Sequence, residues 1–357
     1  MDTHCRMIMD EYLENASNYD FLKDKVIELL RDVIDKNGIF ITGIEGRVKT
    51  ADSLSGKLEL KGSKYASIDD VTDIVGCRVI TFYNDEVDRI AAFVENMFIV
   101  DWENSVDKRK MLQQDQFGYM SIHYICQIPE GLYHDPERPE LNEIKFEIQI
   151  RTALQHVWAT IYHDTGYKND VEVPKEYLRK LSRLAGLIEV ADDEFQTTRD
   201  EISEYRNHVR SLIKGGQFED IELNGDSFKG YLELKPFDKL NRNIAAINSA
   251  EIQPANLFAY LEVLKQMELK TLADMQSFIK RDYEDAFRLA VHQLSGKDID
   301  IISETLGIQN LCLVKILKDG GRLHGLIRFY DMINGKKPRN AKSAERVLAE
   351  AEEIGII

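Results

Sequence analysis

The chain has 357 residues, of which 43% are hydrophobic and 30% charged, and a formal net charge of −16, a length that suits two domains of about 100–200 residues each. Such acidity excludes a broad nucleic-acid-binding surface, which needs Lys and Arg in excess on one face, but it leaves room for a local cation cluster that holds a nucleotide. No apolar run approaches the roughly 20 residues that span a bilayer, and Met1-Asp2-Thr3-His4-Cys5-Arg6 lacks the apolar core of a signal peptide, so a cytoplasmic location is expected.

In chain order, Leu22, Val26, Leu29, Leu30, Val33 and Ile34 recur at helical spacing and predict a helix over 18–36, with Gly38 as its stop signal. A strand is predicted at 39–42 and a helix over 50–61. The β-branched and aromatic run 76–83 predicts a strand, with Asn84-Asp85 capping a helix over 86–97. Further strands are predicted near 98–102, 119–128 and 143–151. The fold class is α+β, a mixed sheet flanked by helices. Cys5, Cys77, Cys126 and Cys312 are scattered and read as buried thiols, with no zinc motif or disulfide framework.

From Lys175 one long helix is predicted, over 175–213. Leu181, Leu184, Ile188, Ala191, Phe195, Thr198, Ile202, Tyr205, Val209 and Leu212 step by threes and fours in a heptad stripe. The stripe either pairs with a second copy in a homo-oligomer or packs onto the N-terminal helices, with slightly more weight on the second. Gly215-Gly216 ends the helix. The predicted organisation is a first domain over 1–215, a polar linker over 216–245 with a short strand at 231–234, and an all-α domain over 246–357 that carries no catalytic motif.

The richest segment chemically is Phe146-Glu147-Ile148-Gln149-Ile150-Arg151-Thr152. Alternation along a strand puts Glu147, Gln149 and Arg151 on one face and Phe146, Ile148 and Ile150 on the other. A carboxylate, an amide and a guanidinium in one row suit a site that deprotonates a hydroxyl and holds phosphates; alone, the row is also what a half-exposed edge strand shows. Arg47 and Lys49 share a face at a strand exit and Lys57 follows on the next helix, cations that suit triphosphate oxygens or form a solvated patch. Asp73 precedes a strand, where one carboxylate with phosphate oxygens could hold Mg²⁺ or serve a turn. Tyr119, Ser121 and His123 share a strand face; the ring could stack a purine or lie in the core, and the imidazole could bind phosphate.

Taken together, Arg47-Val48-Lys49, Ser53, Lys57, Asp73-Ile74-Val75-Gly76-Cys77-Arg78, Phe117-Gly118-Tyr119-Met120-Ser121-Ile122-His123 and Glu147-Ile148-Gln149-Ile150-Arg151-Thr152 resemble, in order and spacing, the synthetase domain of the RelA/SpoT family, GTP pyrophosphokinases that make guanosine alarmones. The likeness runs from Arg47 to Lys168. It implies a nucleotidyltransferase-like synthetase fold that moves pyrophosphate from ATP to the 3′-hydroxyl of GTP or GDP and releases AMP, with Mg²⁺ as cofactor. By the resemblance, Arg47 and Arg78 sandwich the adenine and Lys49 and Lys57 meet the ATP phosphates. Asp73 and Glu147 are the catalytic and metal-binding carboxylates, Glu147 also acting as base toward the 3′-hydroxyl. Tyr119 stacks the guanine, with His123, Gln149 and Arg151 around the acceptor; His156, Trp158, His163, Tyr167 and Lys168 support the site.

The chain departs from the family pattern at Asp115 and Phe117, where a Lys and an Asn are common, and at Tyr162, where small members have Glu. These departures fall on the acceptor side. No hydrolase module is expected, since a metal-dependent one needs spaced His and Asp residues before Arg47. Two other readings stand beside alarmone synthesis. One is a toxin-like transfer to the 3′ end of tRNA, for which Lys108-Arg109-Lys110 is a small basic candidate surface. The other is a non-catalytic nucleotide sensor whose C-terminal helices meet a regulatory ligand or an antitoxin.

Overall fold

The computed structural model describes residues 3–61, 64–111, 116–118, 120–166 and 174–357. Two compact units divide the chain, Met1–Asp200 and Glu201–Ile357. Among the described residues no helix is long and apolar enough to cross a membrane, and all four cysteines are buried free thiols.

The first unit is an α+β domain. Its strands are β1 (Ile41–Val48), β2 (Val75–Thr81), β3 (Ile99–Val100), β4 (Val106–Asp107), β5 (Ile122–Gln127) and β6 (Phe146–Thr152). They pair in the order β1-β2-β6-β5-β3, with β4 also on β5. β2 and β6 are parallel, whereas β1 on β2 and β5 on β6 are antiparallel, so the sheet is mixed as predicted.

One face of this sheet is the core. Val75, Cys77, Val79, Phe146, Ile148, Ile150, Ile122, Tyr124 and Cys126 point into a single apolar cluster, covered by α2 (Ala16–Lys36) and α4 (Asn84–Met97). In α2, Leu22, Val26, Leu30 and Ile34 are buried along one stripe, and Gly38 follows at φ 62°, a backbone state that glycine adopts without steric cost. A Cβ on Gly46 would lie 2.5 Å from Ile27 Cδ1, which is why β1 can lie close against α2. α1 (Thr3–Glu14) was not anticipated; Cys5, Ile8 and Tyr12 form its short buried stripe, and it packs on α3 (Ala51–Lys61). Asn84 and Asp85 do not precede α4 but open it, and Glu86 accepts from the Tyr83 backbone N–H.

β6 runs directly into α5 (Ala153–Gly166). Thr152 and Gln155 form a reciprocal cap: Thr152 N–H donates to Gln155 Oε1 at 3.1 Å, and Gln155 N–H to Thr152 Oγ1 at 3.2 Å. The long helix α6 (Lys175–Lys214) exists over nearly the predicted span. Its heptad stripe docks only in part: Leu184 is 50% and Phe195 60% exposed, whereas Val209 and Leu212 at its end enter the second unit's core. Its contacts up to Asp200 include small and polar residues. Gly186 faces Phe117 so closely that a Cβ would lie 2.9 Å from the ring. Gln196 Oε1 accepts from the Asp85 backbone N–H, and Arg199 pairs bidentately with the Asp85 carboxylate. Asp192, buried, accepts from Thr152 Oγ1 at 2.7 Å.

The second unit is mainly helical. The expected linker and short strand are instead α7 (Gly225–Leu232) and α8 (Asp238–Ala246), with Phe228, Tyr231, Phe237, Leu240 and Ile244 in the unit's core. Pro236 and the surrounding polar residues interrupt the helical spacing and hid it. The remaining helices are α9 (Leu261–Gln266), α10 (Leu272–Leu294), α11 (Leu306–Lys318), α12 (Arg322–Asn334) and α13 (Arg339–Glu353). The expectation of an all-α region is corrected by a parallel pair, β7 (Glu251–Gln253) with β8 (Ile301–Ser303). These strands are three residues long, too short for alternation to register.

Burial, with the neighbouring Asp193 charge, pushes the Asp192 carboxyl up to about 6 against the opposing Thr152 hydrogen bond. The fold therefore prefers the protonated form. The stability this group contributes is complete below 3.8, the ordinary value, and is lost as pH rises through about 6. Asp192→Asn keeps the acceptor and removes the titration, so urea denaturation should show a flatter pH dependence over that window and a gain of about 1–3 kcal/mol at neutral pH. An unchanged slope would show that the carboxyl is not strained by its burial.

Candidate functional site

The opposite face of the sheet carries the polar row. Register places Arg47 across from Gly76 and Gly76 across from Glu147. One step on, Glu45, Arg78, Gln149 and His123 form a second cross-strand line. Arg47 lies over Gly76, where a Cβ would be 3.7 Å from its side chain. The result is a cavity of about 280 Å³ over Arg47, Gly76, Arg78, Glu147 and Gln149. It adjoins a larger one of about 600 Å³ that shares Arg47, Arg78 and Gln149 and reaches Lys108, Arg151 and Tyr162.

At the β1–β2 end, Lys49 N–H donates to Ile74 carbonyl at 2.7 Å, which extends the pairing past β1 and brings the lysine beside Asp73. Asp73 is bracketed by Lys49 Nζ at 2.9 Å and Lys57 Nζ, from α3, at 2.7 Å. Burial alone would raise the Asp73 pKa, but the hydrogen bonds and charges of both lysines outweigh it and hold the carboxyl below its usual range. Burial works against charge on Lys57 too, and Asp73 overcomes it, so its pKa is raised. The three groups sit as a charged cluster, ready to exchange partners with an arriving anion or cation.

In the middle, Glu147 is held by His123 Nδ1 at 2.7 Å on one oxygen and Gln149 Nε2 at 2.8 Å on the other. Burial pushes its pKa up; the His123 contact and the Gln149 hydrogen bond more than compensate, and Glu147 is kept ionised below the usual range. Gln149 in turn accepts from Arg78 Nε at 3.2 Å, and Arg78 reaches Glu45 at 3.1 Å. Arg151, buried, donates to His156 Nδ1 at 3.0 Å. Burial and the Arg151 charge lower the His156 pKa, which keeps the ring neutral and able to accept.

The structure thus brings together Arg47, Lys49, Lys57, Asp73, Arg78, His123, Glu147, Gln149 and Arg151 on one sheet face and its border. Tyr119 lies outside the described residues, as do Asp115, Tyr167 and Lys168. Trp158 and Tyr162 stack at 5.0 Å on α5, and Tyr162 and His163 border the larger cavity. The basic triplet does not form one surface. Arg109 is pinned by Asp107 and Asp88, Lys110 is exposed, and Lys108 turns into the cavity. Sequence reading missed Glu45 as the partner of Arg78 and Lys108 as a cavity residue. Alternation from Glu45 to Arg47 could have found the first; the second needed β4, a strand of two residues.

A mixed sheet with one face in the core and the other presenting an ionised carboxylate among clustered cations is a fold and site suited to polyphosphate ligands. Residues 46–172 match the family described as "Region found in RelA / SpoT proteins", and this part of the chain is a RelA/SpoT-family synthetase domain. The chain is 27% identical to GTP pyrophosphokinase YjbM of Bacillus subtilis (strain 168) over 175 residues, covering 49% of this chain and 79% of the relative. It is also 27% identical to GTP pyrophosphokinase YwaC of the same organism over 209 residues, covering 55% and 94%. Among solved structures, small alarmone synthetase 2 from Bacillus subtilis is similar at 24% identity and a TM-score of 0.46, covering 54% of this chain and 99% of that one.

His123→Ala removes the group that does most to hold Glu147 ionised. The Glu147 carboxyl should then titrate at higher pH, read from its ¹³C chemical shift in selectively labelled protein. A titration identical to that of the unaltered chain would show that Gln149 and the surrounding cations suffice.

Proposed function

We propose that the first unit is a (p)ppGpp synthetase, an ATP:GTP 3′-diphosphotransferase that acts on GTP or GDP. The observation that carries this reading is the position of ionised Glu147 on β6, between the lysines at the β1–β2 end and His123 on β5. The family match of residues 46–172 supports it. The donor triphosphate meets Lys49 and Lys57, with Arg47 and Arg78 flanking its base. Gln149 and Arg151 border the acceptor with His123.

In the reaction the acceptor 3′-hydroxyl gives its proton to Glu147 and its oxygen bonds to the β-phosphorus of ATP. The bond from that phosphorus to the oxygen bridging the α-phosphate breaks, and AMP leaves with the electron pair. Positioning and neutralisation of charge supply most of the rate in phosphoryl transfer. Asp73 and Glu147 fit a divalent cation in kind: both are held ionised, and the charge of Asp73 acts on Glu147, opposing its ionisation. Mg²⁺ commonly takes one or two carboxylates and completes its shell from phosphate and water; when bound it neutralises the phosphate oxygens. Lys49 and Lys57, which pair with Asp73, stand where they would hold the triphosphate. Nothing in the disposition of Lys108, Arg109 and Lys110 favours a tRNA acceptor over a free nucleotide.

The test uses ATP labelled in the γ-phosphate with Mg²⁺ and GTP, GDP or bulk tRNA in parallel. Label is expected in a guanosine nucleotide, with Glu147→Gln slowing transfer by about 100-fold or more, the scale of a lost general base. Label in tRNA alone, or transfer at the same rate in the variant, would contradict the reading.

A further inference from the structure

Asp73 and both lysines that bracket it lie in one stretch of chain, residues 49–73, which leaves β1, forms α3 and returns as β2. The helix α1 touches that stretch at four points. The Tyr12 hydroxyl donates to the Lys49 carbonyl at 2.8 Å, the Cys5 thiol to the Leu58 carbonyl at 3.7 Å, and His4 Nε2 to the Tyr65 carbonyl at 2.8 Å. Glu11 Oε2 accepts from the Ile68 backbone N–H at 3.1 Å. Helical spacing explains the reach. Cys5, Ile8 and Tyr12 form one buried stripe at steps of three and four, so the stripe begins against α3 and its aromatic end falls at Lys49.

Two of these contacts bear directly on the lysines. Lys49 stands one residue past β1 with its N–H on the Ile74 carbonyl at 2.7 Å; the Tyr12 hydroxyl takes its carbonyl, so the backbone that carries the side chain is held on both sides. Tyr12 is buried, and its ring stacks on Tyr19 at 5.6 Å, which fixes the hydroxyl in turn. The Tyr65 ring, whose backbone His4 holds, lies 5.3 Å from Lys57 Nζ, a cation–π contact. A lysine stem is four flexible carbons, so the direction of its ammonium depends on how firmly its backbone and its neighbours are fixed. We propose that α1 is a strap that positions the two donor-phosphate lysines, with Tyr12 a positioning residue acting through Lys49. That the anion they meet belongs to ATP rests on the synthetase reading; the hold of Tyr12 on Lys49, and through it on Asp73, does not.

The experiment compares the full chain with two variants. Tyr12→Phe removes only the hydroxyl; Tyr19→Phe removes a hydroxyl from the other ring of the stack and leaves the Lys49 carbonyl bonded. The readouts are the ¹³C titration of the Asp73 carboxyl in selectively labelled protein, the dissociation constants of a non-hydrolysable ATP analogue and of GTP with Mg²⁺ present, and steady-state kinetics with ATP and GTP. Burial pushes the Asp73 carboxyl up and Lys49 does most to hold it down, so Tyr12→Phe should move the Asp73 titration to higher pH. It should weaken the ATP analogue by about three- to tenfold, the scale of one lost hydrogen bond, and change GTP by less than about twofold. The kinetic loss should fall on the KM for ATP, with kcat kept. Tyr19→Phe should do none of these. Glu11→Ala, which releases the Ile68 N–H at another point of the strap, should raise the KM for ATP in the same sense and carries the test if Tyr12→Phe does not fold. An unmoved Asp73 titration with unchanged ATP affinity, equal losses for the analogue and GTP, or the same losses in Tyr19→Phe would each overturn the proposal. A shifted Asp73 titration in a chain that binds no ATP analogue would keep the hold of Tyr12 on Lys49 and sink the synthetase reading instead.

Discussion

The site depends on the parallel pairing of β2 with β6. That pairing sets Gly76 against Glu147 and Arg78 against Gln149, and because side chains alternate, it fixes at the same time which residues enter the core. A slip of one residue would turn Phe146, Ile148 and Ile150, each fully buried, toward solvent and drive Glu147 and Gln149 into the apolar layer. Burying one such aliphatic side chain is worth about 1.5–3 kcal/mol, so the hydrophobic face locks the register. The polar face inherits its geometry from that lock. On the open face Arg47 lies over Gly76, where a Cβ would be in ordinary contact with it at 3.7 Å.

Electrostatics completes what register begins. In a chain of net charge −16, cations are gathered on one sheet face, and two carboxylates there are kept ionised despite burial. The arrangement is asymmetric. Asp73 is paired with lysines, mobile point charges that can turn to a phosphate, whereas Glu147 is fixed by an imidazole on one oxygen and an amide on the other. Asp73 is thereby suited to give up its lysines when ligand arrives, and Glu147, held on both oxygens, to remain oriented. Beyond the sheet, the Thr152 hydroxyl couples the end of β6 to Asp192 of α6, so the strand that carries Glu147 is anchored at its exit as well as along its length.

Much of this was legible in the sequence, for identifiable reasons. The alternation of Glu147, Gln149 and Arg151 with Phe146, Ile148 and Ile150 is a long period-two signal, and the strand over 146–152 follows it. The cations and Asp73 could be gathered only by the family resemblance, since nothing in their spacing brings Lys57 of one helix to the same carboxylate as Lys49. Other features were hidden by length or by competing patterns. β4 is too short to show alternation, so Lys108, Arg109 and Lys110 read as one basic patch although their side chains part. The heptad stripe of α6 suggested one continuous apolar seam, while in the first unit the helix meets its neighbours through Gly186, Asp192, Gln196 and Arg199, which carry no hydrophobic signal, and Val209 and Leu212 of the stripe enter the second unit's core. In the second unit, Pro236 broke the spacing of Phe228, Tyr231, Phe237, Leu240 and Ile244 and disguised two helices as a linker.

The central claim is that the open sheet face is divided, with donor phosphates at the β1–β2 end, acceptor toward β5, and Glu147 between them. The most direct measurement is a crystal structure of the full chain with a non-hydrolysable ATP analogue and GTP together. The account predicts the analogue's phosphates against Lys49 and Lys57 and the GTP ribose 3′-hydroxyl within hydrogen-bond reach of Glu147, about 2.6–3.2 Å. The two nucleotides in exchanged places, or a 3′-hydroxyl remote from Glu147, would contradict it.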